Sequence, residues 1–191
     1  MNHSLSSRQA KVLPGNAGVW LFIFVEVTTF ALFFLTYSVV YRLNYSLFDQ
    51  YKAVLHLDLG VINTVMLLTA SLFVALAVNK ARSQQHTRVA WHLLLAMLCG
   101  FVYIGIKFWE WQQLYSLGYT LHTNTFFSFY FFLTLFHWLH VILALIILNN
   151  FRSRYQKANP PPGLEGLQSA GSYWHMVDML WLILFLLIYI A

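Results

Sequence analysis

Five long apolar segments, separated by short polar links, dominate the sequence. They cover residues 17–41, 60–78, 90–113, 126–148 and 173–191. Because about 20 helical residues cross a bilayer core about 30 Å thick, each segment is long enough to span a membrane. Backbone groups in lipid must be hydrogen-bonded within the segment, and these unbroken runs lack the alternation of barrel strands. The pattern predicts an all-α integral membrane protein, a single domain over residues 1–191 with a bundle of five transmembrane helices.

The links between the segments are short and differ in character. Residues 42–59 are mixed polar, residues 79–89 are basic, and residues 114–125 carry no formal charge. Residues 149–172 contain the run Pro160 to Pro162, which predicts a turn or extended chain rather than helix. No internal repeat relates the segments, which argues against an inverted-repeat transporter.

The composition agrees with membrane insertion and excludes several kinds of site. Hydrophobic residues make up 60% of the chain and charged residues 9%, whereas about a quarter of a soluble domain is charged. The net charge of +5 comes from residues at segment ends, as membrane topology requires, so it does not indicate nucleic-acid binding. The single cysteine, Cys99, excludes an internal disulfide, covalent haem attachment and a multi-cysteine metal site.

The distribution of lysine and arginine predicts the orientation. One side carries eight of them, in the N-terminal tail and in the links 79–89 and 149–172, and the other carries only Arg42 and Lys52. Basic loops stay in the cytoplasm, so we expect a cytoplasmic N-terminus and a C-terminus outside. The polar tail before residue 17 has no signal-peptide cleavage pattern, so the first helix is expected to be retained.

Polar residues inside the apolar segments are the candidate site residues, because such side chains are costly in a bilayer and need partners. Glu26 lies nine residues into the first segment, about 13 Å along a helix. His137 and His140 lie three residues apart near the middle of the fourth, on one helix face. We predict a buried polar cluster of Glu26, His137 and His140. If the first and fourth helices touch, His140 is closest in depth to Glu26 and can form a hydrogen bond or ion pair with it.

Two further pairs show the same spacing of three residues. Lys107 and Glu110 lie near the outer end of the third segment, where a snorkelling lysine paired with the glutamate is expected. His175 and Asp178 lie near the start of the fifth segment and are expected to satisfy each other. Both are predicted as interfacial pairs, and Tyr189 as a belt residue at the membrane surface.

Metal binding is an alternative for these residues. Haem held by two histidines between helices usually needs ligands on separate helices, whereas His137 and His140 share one helix face. Buried di-iron sites use Glu-x-x-His on two helices, and zinc needs three or four ligands, which Glu26 and the two histidines could supply only together. We therefore expect this chain to bind no haem, copper or iron. The residues alone fit a proton-handling channel and an accessory subunit equally well.

Motifs along the chain resemble the subunit III family of haem-copper oxidases. FHWLHV resembles the family motif Phe-His-Gly-Leu-His-Val, with Trp138 in place of the glycine, and YWHMVDMLWLILF is similar to its Trp-His-Phe-Val-Asp-x-x-Trp segment. Three more stretches match in order, with the family's buried carboxylate at Glu26. The five stretches are LFIFVEVTTFALFF (21–34), NTVMLLTAS (63–71), GIKFWEW (105–111), FHWLHV (136–141) and YWHMVDMLWLILF (173–185).

The resemblance implies a non-catalytic accessory subunit without a redox centre, in a bacterial inner-membrane respiratory complex. It would support the stability and proton uptake of a catalytic subunit that binds haem, with copper in some complexes. Short members occur in cytochrome c oxidases, in quinol oxidases and in a denitrification group linked to nitric oxide reductase. The stretches HTNTFFSFYFFLT and LDLGVINTVMLLTASLFVALAV are most similar to the last group. An independent proton channel or small transporter is the alternative from another class.

Long members of the family have seven helices, and this chain matches the last five. The two absent helices would form one wall of the family's lipid-holding cleft, so phospholipid is a candidate ligand only if another subunit completes that cleft. The resemblance also implies that residues 17–41 and 60–78 face the catalytic subunit. Small and hydroxyl residues would allow close packing there: Asn63, Thr64, Thr69, Ala70 and Ser71.

Overall fold

The computed structural model describes residues 17–157 and 163–190, and all regular structure in this part of the chain is helical. The helices are α1 (Ala17–Leu43), α2 (Tyr45–Lys52), α3 (Leu57–Arg82), α4 (His86–Ser116), α5 (Thr125–Lys157) and α6 (Leu164–Phe185), which continues into a π-helical turn (Leu186–Ile190). Five of them, all except α2, are long and apolar enough to cross a membrane. The predicted all-α fold with five membrane helices is confirmed. The N-terminal tail and the Pro160 to Pro162 run, expected to form a turn, lie outside the described residues.

The helices extend further than the apolar segments that predicted them. The basic link predicted over residues 79–89 is only a turn at 83–85, where Gln84 adopts a positive φ of 55°. The largest differences are nine residues each: α5 continues to Lys157 instead of ending at 148, and α6 begins at Leu164, after the N-cap Gly163, instead of at 173. Its first turns contain polar residues, but Leu167 and Ala170 are buried against the bundle. An amphipathic start of this kind is invisible to hydropathy, because half of its side chains are polar.

The link 42–59 contains a short helix that the sequence did not predict. Phe48 of α2 is fully buried and packs edge-on against Tyr37 and Tyr41 of α1 and Phe126 of α5. Eight residues with one buried anchor are too few for a helical period to show. This helix closes the bundle at the end opposite to the basic links.

Helices α3, α4, α5 and α6 form a closed ring in which each packs against two neighbours, and α1 lies outside it against α6. Burial follows this arrangement. In the most apolar 18-residue stretch of each helix, the buried share is 61% in α6 and only 17% in α1. The end of the bundle that carries the basic links is called the basic end. Its described basic residues are Lys80, Arg82, Arg88, Arg152, Arg154 and Lys157.

Small side chains in the interior of the ring let its helices approach closely. Ala70, Val74 and Ala77 of α3 are fully buried, as is Ala96 of α4. A Cβ on Gly100 of α4 would come within 2.8 Å of Leu145 on α5. Such positions let helix backbones approach closely, which drives association in lipid.

The small residues of α3 are therefore used inside the chain. Asn63 and Ala70 are fully buried, and the hydroxyls of Thr64 and Ser71 contact side chains of α6. These four residues therefore do not provide the expected close-packing surface for a partner subunit. Thr69 is half-buried, and its hydroxyl donates to the carbonyl of Val65 in the same helix. Which helices face the catalytic subunit stays a prediction. The outward face of α3 instead carries larger side chains, which are Val61, Ile62, Val65, Leu68 and Leu72.

Candidate functional site

Glu26 of α1 and His140 of α5 form a hydrogen-bonded pair beside the four-helix ring. Nε2 of His140 lies 3.0 Å from Oε2 of Glu26, and the two side chains are 11% and 17% exposed. Rings of Phe30 and Phe136 flank the imidazole, with centroids 5.4 Å and 4.8 Å away. The hydrogen bond expected between Glu26 and His140 is thus present in the structure.

The hydrogen bond of the second ring nitrogen of His140 fixes the number of protons that this pair holds. Nδ1 lies 2.7 Å from the carbonyl oxygen of Phe136, and because a carbonyl only accepts, Nδ1 carries a proton. Nε2 and the Glu26 oxygen therefore share one further proton, either as imidazolium and carboxylate or as neutral imidazole and carboxylic acid. Both forms have no net charge, as a poorly hydrated site requires.

His137 lies inside the ring, with different partners. Its Nε2 is 3.0 Å from the carbonyl oxygen of Val177 on α6, and its Nδ1 is 3.0 Å from the hydroxyl of Tyr103 on α4. The carbonyl accepts from Nε2–H, so Nδ1 accepts from the tyrosine hydroxyl. The three-residue cluster predicted with Glu26 is therefore divided between two places. A spacing of three residues leaves the two side chains about 60° apart around the helix axis, enough to point His140 at α1 and His137 into the ring.

Trp181 of α6 connects this interior histidine to the remaining helices. Its ring centroid is 5.0 Å from that of Tyr103 and 5.3 Å from that of His137, and its Nε1 donates to Oγ1 of Thr64 at 3.0 Å. One side chain thus contacts α3, α4 and α5. Sequence reasoning missed Tyr103, Thr64 and Trp181 as a group, because an aromatic or hydroxyl residue in an apolar helix does not reveal its partner. The one available signal was the tryptophan that ends YWHMVDMLW.

Lys107 and Glu110 form a fully buried ion pair at the end opposite to the basic end. The Lys107 ammonium lies 2.9 Å from Oε2 of Glu110, 3.1 Å from the Tyr130 hydroxyl and 2.7 Å from the Tyr189 hydroxyl. The Tyr189 hydroxyl in turn donates to Oε1 of Glu110 at 2.6 Å. All three ammonium protons and both carboxylate oxygens are therefore used, and the group joins α4, α5 and α6.

The predicted pairing of Lys107 with Glu110 is present, but the predicted snorkelling is wrong, because both side chains are fully buried. The ammonium does not snorkel, because α5 and α6 cover it and it lies within 5.5 Å of the Trp181 ring centre. Tyr189 is 5% exposed and is a buried partner rather than a belt residue. It belongs to the π-helical turn Leu186–Ile190, and such wide turns often occur at functional sites.

The expectation that His175 and Asp178 satisfy each other is wrong within the described part of the chain. Since α6 begins at Leu164, both lie near its middle. Nδ1 of His175 is 2.5 Å from the Ser71 hydroxyl, and Ser71 also interacts with Asp178. Asp178 is 6% exposed, and its Oδ1 has no hydrogen-bond partner in the described part of the chain. The two residues thus share a serine of α3 rather than pairing with each other.

The geometry does not assemble the zinc ligand set considered from the sequence. His137 uses both ring nitrogens in hydrogen bonds and is separated from the Glu26–His140 pair. Within residues 17–157 and 163–190, no three His, Cys, Asp or Glu side chains are grouped so that they could hold a metal ion. The chemistry available to these clusters is hydrogen bonding between helices and, at Glu26–His140, the exchange of a shared proton.

Comparison with known proteins identifies the family of the chain. The family model of cytochrome c oxidase subunit III matches residues 5–191. Cytochrome c oxidase subunit 3 of Thermostichus vulcanus is 32% identical over 136 residues, which cover 68% of this chain and 64% of that protein. The probable quinol oxidase subunit 3 of Staphylococcus haemolyticus is 23% identical over 197 residues, covering 99% of this chain and 96% of that protein.

A third relative is a longer protein whose name combines subunits I and III. The heme-copper oxidase subunit I+III of Aeropyrum pernix is 25% identical over 182 residues, which cover 92% of this chain but only 22% of that protein. The chain thus spans less than two thirds of the length of this protein and of the Thermostichus vulcanus subunit. Since the family model matches nearly the full sequence, the chain belongs to the cytochrome c oxidase subunit III family.

Proposed function

We propose that this chain is a non-catalytic subunit of a haem-copper oxidase complex in a bacterial inner membrane. The observation that carries the proposal is the family match over residues 5–191. The geometry supports it, because Lys107, Glu110, His137 and Trp181 are each used to join helices rather than being open to a substrate. The chain would contribute stability and proton handling, and haem, with copper in some complexes, would be bound by its partners.

The proposed partner is the catalytic subunit I. A protein named as heme-copper oxidase subunit I+III matches 92% of this chain, which supports a direct association of the two subunits. The outward face of α1 offers an extended apolar surface for that contact, since only 17% of the most apolar window of this helix is buried within the chain. Leu21, Phe24, Leu32 and Leu35 are each at least 60% exposed there.

We further propose an oxygen-reducing partner rather than a nitric oxide reductase. The relatives described above are named as subunits of cytochrome c, quinol and heme-copper oxidases. The similarity of HTNTFFSFYFFLT to a denitrification group finds no support in these relatives. Their names include both cytochrome c and quinol oxidases, so the proposal extends to the oxidase class and not to the electron donor.

Purification under mild detergent tests the proposed association. A tag on this chain is expected to recover a complex with stoichiometric haem bands in its visible spectrum and with oxygen-consuming activity. After dissociation, the separated chain is expected to contain no stoichiometric iron, copper or zinc. Recovery of the chain alone, without haem, would instead favour an independent channel or transporter, and consumption of nitric oxide but not oxygen would contradict the oxidase assignment.

The proposed orientation is tested with reporter fusions in the two turns that flank α4. A fusion after Gln84, in the turn at the basic end, is expected to report the cytoplasm, and a fusion after Leu121, between α4 and α5, the exterior. The physical reason is that lysine and arginine concentrate at the cytoplasmic side. Reversed signals from the two fusions would invert the orientation of the whole bundle.

Glu26 substitutions test whether the hydrogen bond between Glu26 and His140 stabilises the complex. Glu26→Ala removes the partner of His140 and is expected to weaken the assembled complex while still allowing membrane insertion. Intramembrane polar contacts contribute less than about 2 kcal/mol, so we expect a several-fold faster loss of oxidase activity during turnover. Glu26→Gln should have a smaller effect, because its amide can still donate to Nε2 of the histidine.

The matched control is Leu139→Ala on α5. Leu139 is the residue before His140, with 49% of its surface exposed and no part in the pair. It should match the parent in complex yield and in inactivation rate. If Glu26→Ala and Leu139→Ala behave alike, the Glu26–His140 pair contributes nothing to the complex.

A further inference from the structure

A cavity of about 310 Å³ lies at the basic end between the end of α3 and the first half of α6. The polar side chains that line it are those of Asn79, Arg82, Gln168, Ser172 and His175. A cavity of this size and polarity can hold several water molecules, because each needs about 30 Å³ and two to four polar partners. Along α6, His175 is the lining residue furthest from the basic end. Water in the cavity can therefore reach this imidazole.

A serine of α3 connects the cavity to a buried carboxyl group. Nδ1 of His175 lies 2.5 Å from the hydroxyl of Ser71, and the same hydroxyl is hydrogen-bonded to Asp178. His175 is exposed at the cavity, whereas Asp178, three residues further along α6, is only 6% exposed. The three side chains form one hydrogen-bonded row that leads from a group in contact with water to a group inside the bundle.

The donors and acceptors of this row are arranged for proton transfer. When Asp178 is ionised it accepts the Ser71 proton, so the serine oxygen accepts Nδ1–H and the neutral ring has no proton on Nε2. Within the described residues no hydrogen bond involves Nε2 of His175, which leaves this nitrogen available to water of the cavity. At the other end of the row, Oδ1 of Asp178 has no partner among these residues, and neither of their two ion pairs includes Asp178. A proton on this carboxyl group removes a buried charge that nothing else compensates.

We propose that His175, Ser71 and Asp178 form a proton relay between water at the basic end and the interior of the bundle. Nε2 of His175 takes a proton from water, Nδ1 releases its own proton to the Ser71 oxygen, and the serine hydroxyl passes its original proton to the Asp178 carboxylate. Afterwards the carboxylic acid donates to the serine, the serine donates to Nδ1, and Nε2 keeps the new proton. The cavity water has lost one proton, the carboxylate has become a neutral acid, and only N–H and O–H bonds have been broken or formed.

This relay is separate from the Glu26–His140 pair, because it uses α3 and α6 rather than α1 and α5. Its two titratable groups are His175 and Asp178, and Arg82 is the one charged side chain among the described residues that line the cavity. Its role in a respiratory complex rests on the function proposed above, whereas the proton transfer itself depends only on residues of this chain. The relay can therefore be tested on the full chain without its partners.

Infrared spectroscopy of the full chain in a lipid bilayer, recorded during transfer into deuterated water, tests the proposal. A protonated carboxyl group has a carbonyl stretching band that shifts when deuterium replaces the proton, and the Asp178 band is identified by its loss in Asp178→Asn. In Ser71→Ala, which lacks the bridging hydroxyl, the shift is expected to be at least tenfold slower than in the parent. His175→Gln removes the titratable ring and should slow the shift to a similar extent. If the parent and Asp178→Asn have the same carboxyl bands at every pH at which both are folded, Asp178 does not take up a proton and the relay is overturned.

Thr69→Ala is the matched control for the serine. Thr69 lies two residues before Ser71 on α3, and its hydroxyl donates to the carbonyl of Val65 in the same helix, so the exchange rate should equal that of the parent. Equal slowing by Thr69→Ala and Ser71→Ala would indicate a general change in the bundle, and unchanged exchange in both Ser71→Ala and His175→Gln would show another route to Asp178. Either result would overturn the relay. Unfolding midpoints identify variants that do not fold, and because His175 is exposed, His175→Gln decides the matter if Ser71→Ala is one of them.

The experiment distinguishes failure of the relay from failure of the proposed function. The exchange rate is measured on the chain alone, so a negative result leaves the assignment to an oxidase complex unchanged. Recovery of the chain without haem would contradict that assignment and leave the exchange rates of the variants unaffected.

Discussion

Lys107→Met is expected to reduce the stability of the bundle more than any other substitution of a membrane-embedded polar residue. The lysine and Glu110 are both fully buried, and the ammonium satisfies the carboxylate and two tyrosine hydroxyls. Methionine would leave a buried carboxylate whose remaining donor is the Tyr189 hydroxyl. Removal of one partner from a buried ion pair destabilises proteins by about 3–5 kcal/mol. We expect a lower midpoint of denaturant-induced unfolding of the purified chain in mixed micelles.

The double variant separates the ion pair from the packing around it. Lys107→Met with Glu110→Met removes both charges, and because no uncompensated charge remains, its loss of stability should be smaller than that of either single variant. Tyr189→Phe removes a hydroxyl that bonds both partners and should cost about 1–3 kcal/mol. If the loss in the double variant equals the sum of the single losses, the two residues are energetically independent and the cluster does not act as a unit.

The pattern of apolar residues was sufficient for the fold class but not for the ends of the helices. Lipid requires every backbone group to be bonded within the segment, so long apolar runs predict helices directly. Outside the apolar core the constraint disappears, and residues 164–172 and α2 form helices through amphipathic contacts such as those of Leu167 and Phe48. Their burial depends on neighbours that a single segment does not reveal.

The candidate site shows the same division between local and tertiary information. Spacing along one helix predicted the Lys107–Glu110 pair, and matching depth on two helices predicted Glu26–His140, since both are set by the helical rise. The direction in which His137 points, and the tyrosines that cover Lys107, depend on how α4, α5 and α6 are arranged around each other. Hydropathy cannot supply that arrangement, because lipid and protein interior are equally apolar.

Trp181 contacts three neighbouring helices with one side chain, and its removal is the second large effect that we expect. It is fully buried and contacts Thr64 of α3, Tyr103 of α4 and His137 of α5. The hydrophobic effect does not drive helices together in lipid, so packing contacts carry much of the association. Trp181→Ala would open a cavity between four helices, and large-to-small changes at aromatic core residues cost about 3–5 kcal/mol.

The measurement is the unfolding midpoint of the purified chain in mixed micelles, with two companion variants. Trp181→Phe retains an aromatic ring but loses the bond from Nε1 to Thr64, so it should fall between the parent and Trp181→Ala. Trp109→Ala is the matched control, because Trp109 of α4 is 52% exposed and its loss creates no cavity between helices. We expect Trp109→Ala to remain within about 0.5 kcal/mol of the parent, as surface substitutions usually do. Equal destabilisation by Trp181→Ala and Trp109→Ala would show that the four-helix contact of Trp181 does not hold the bundle together.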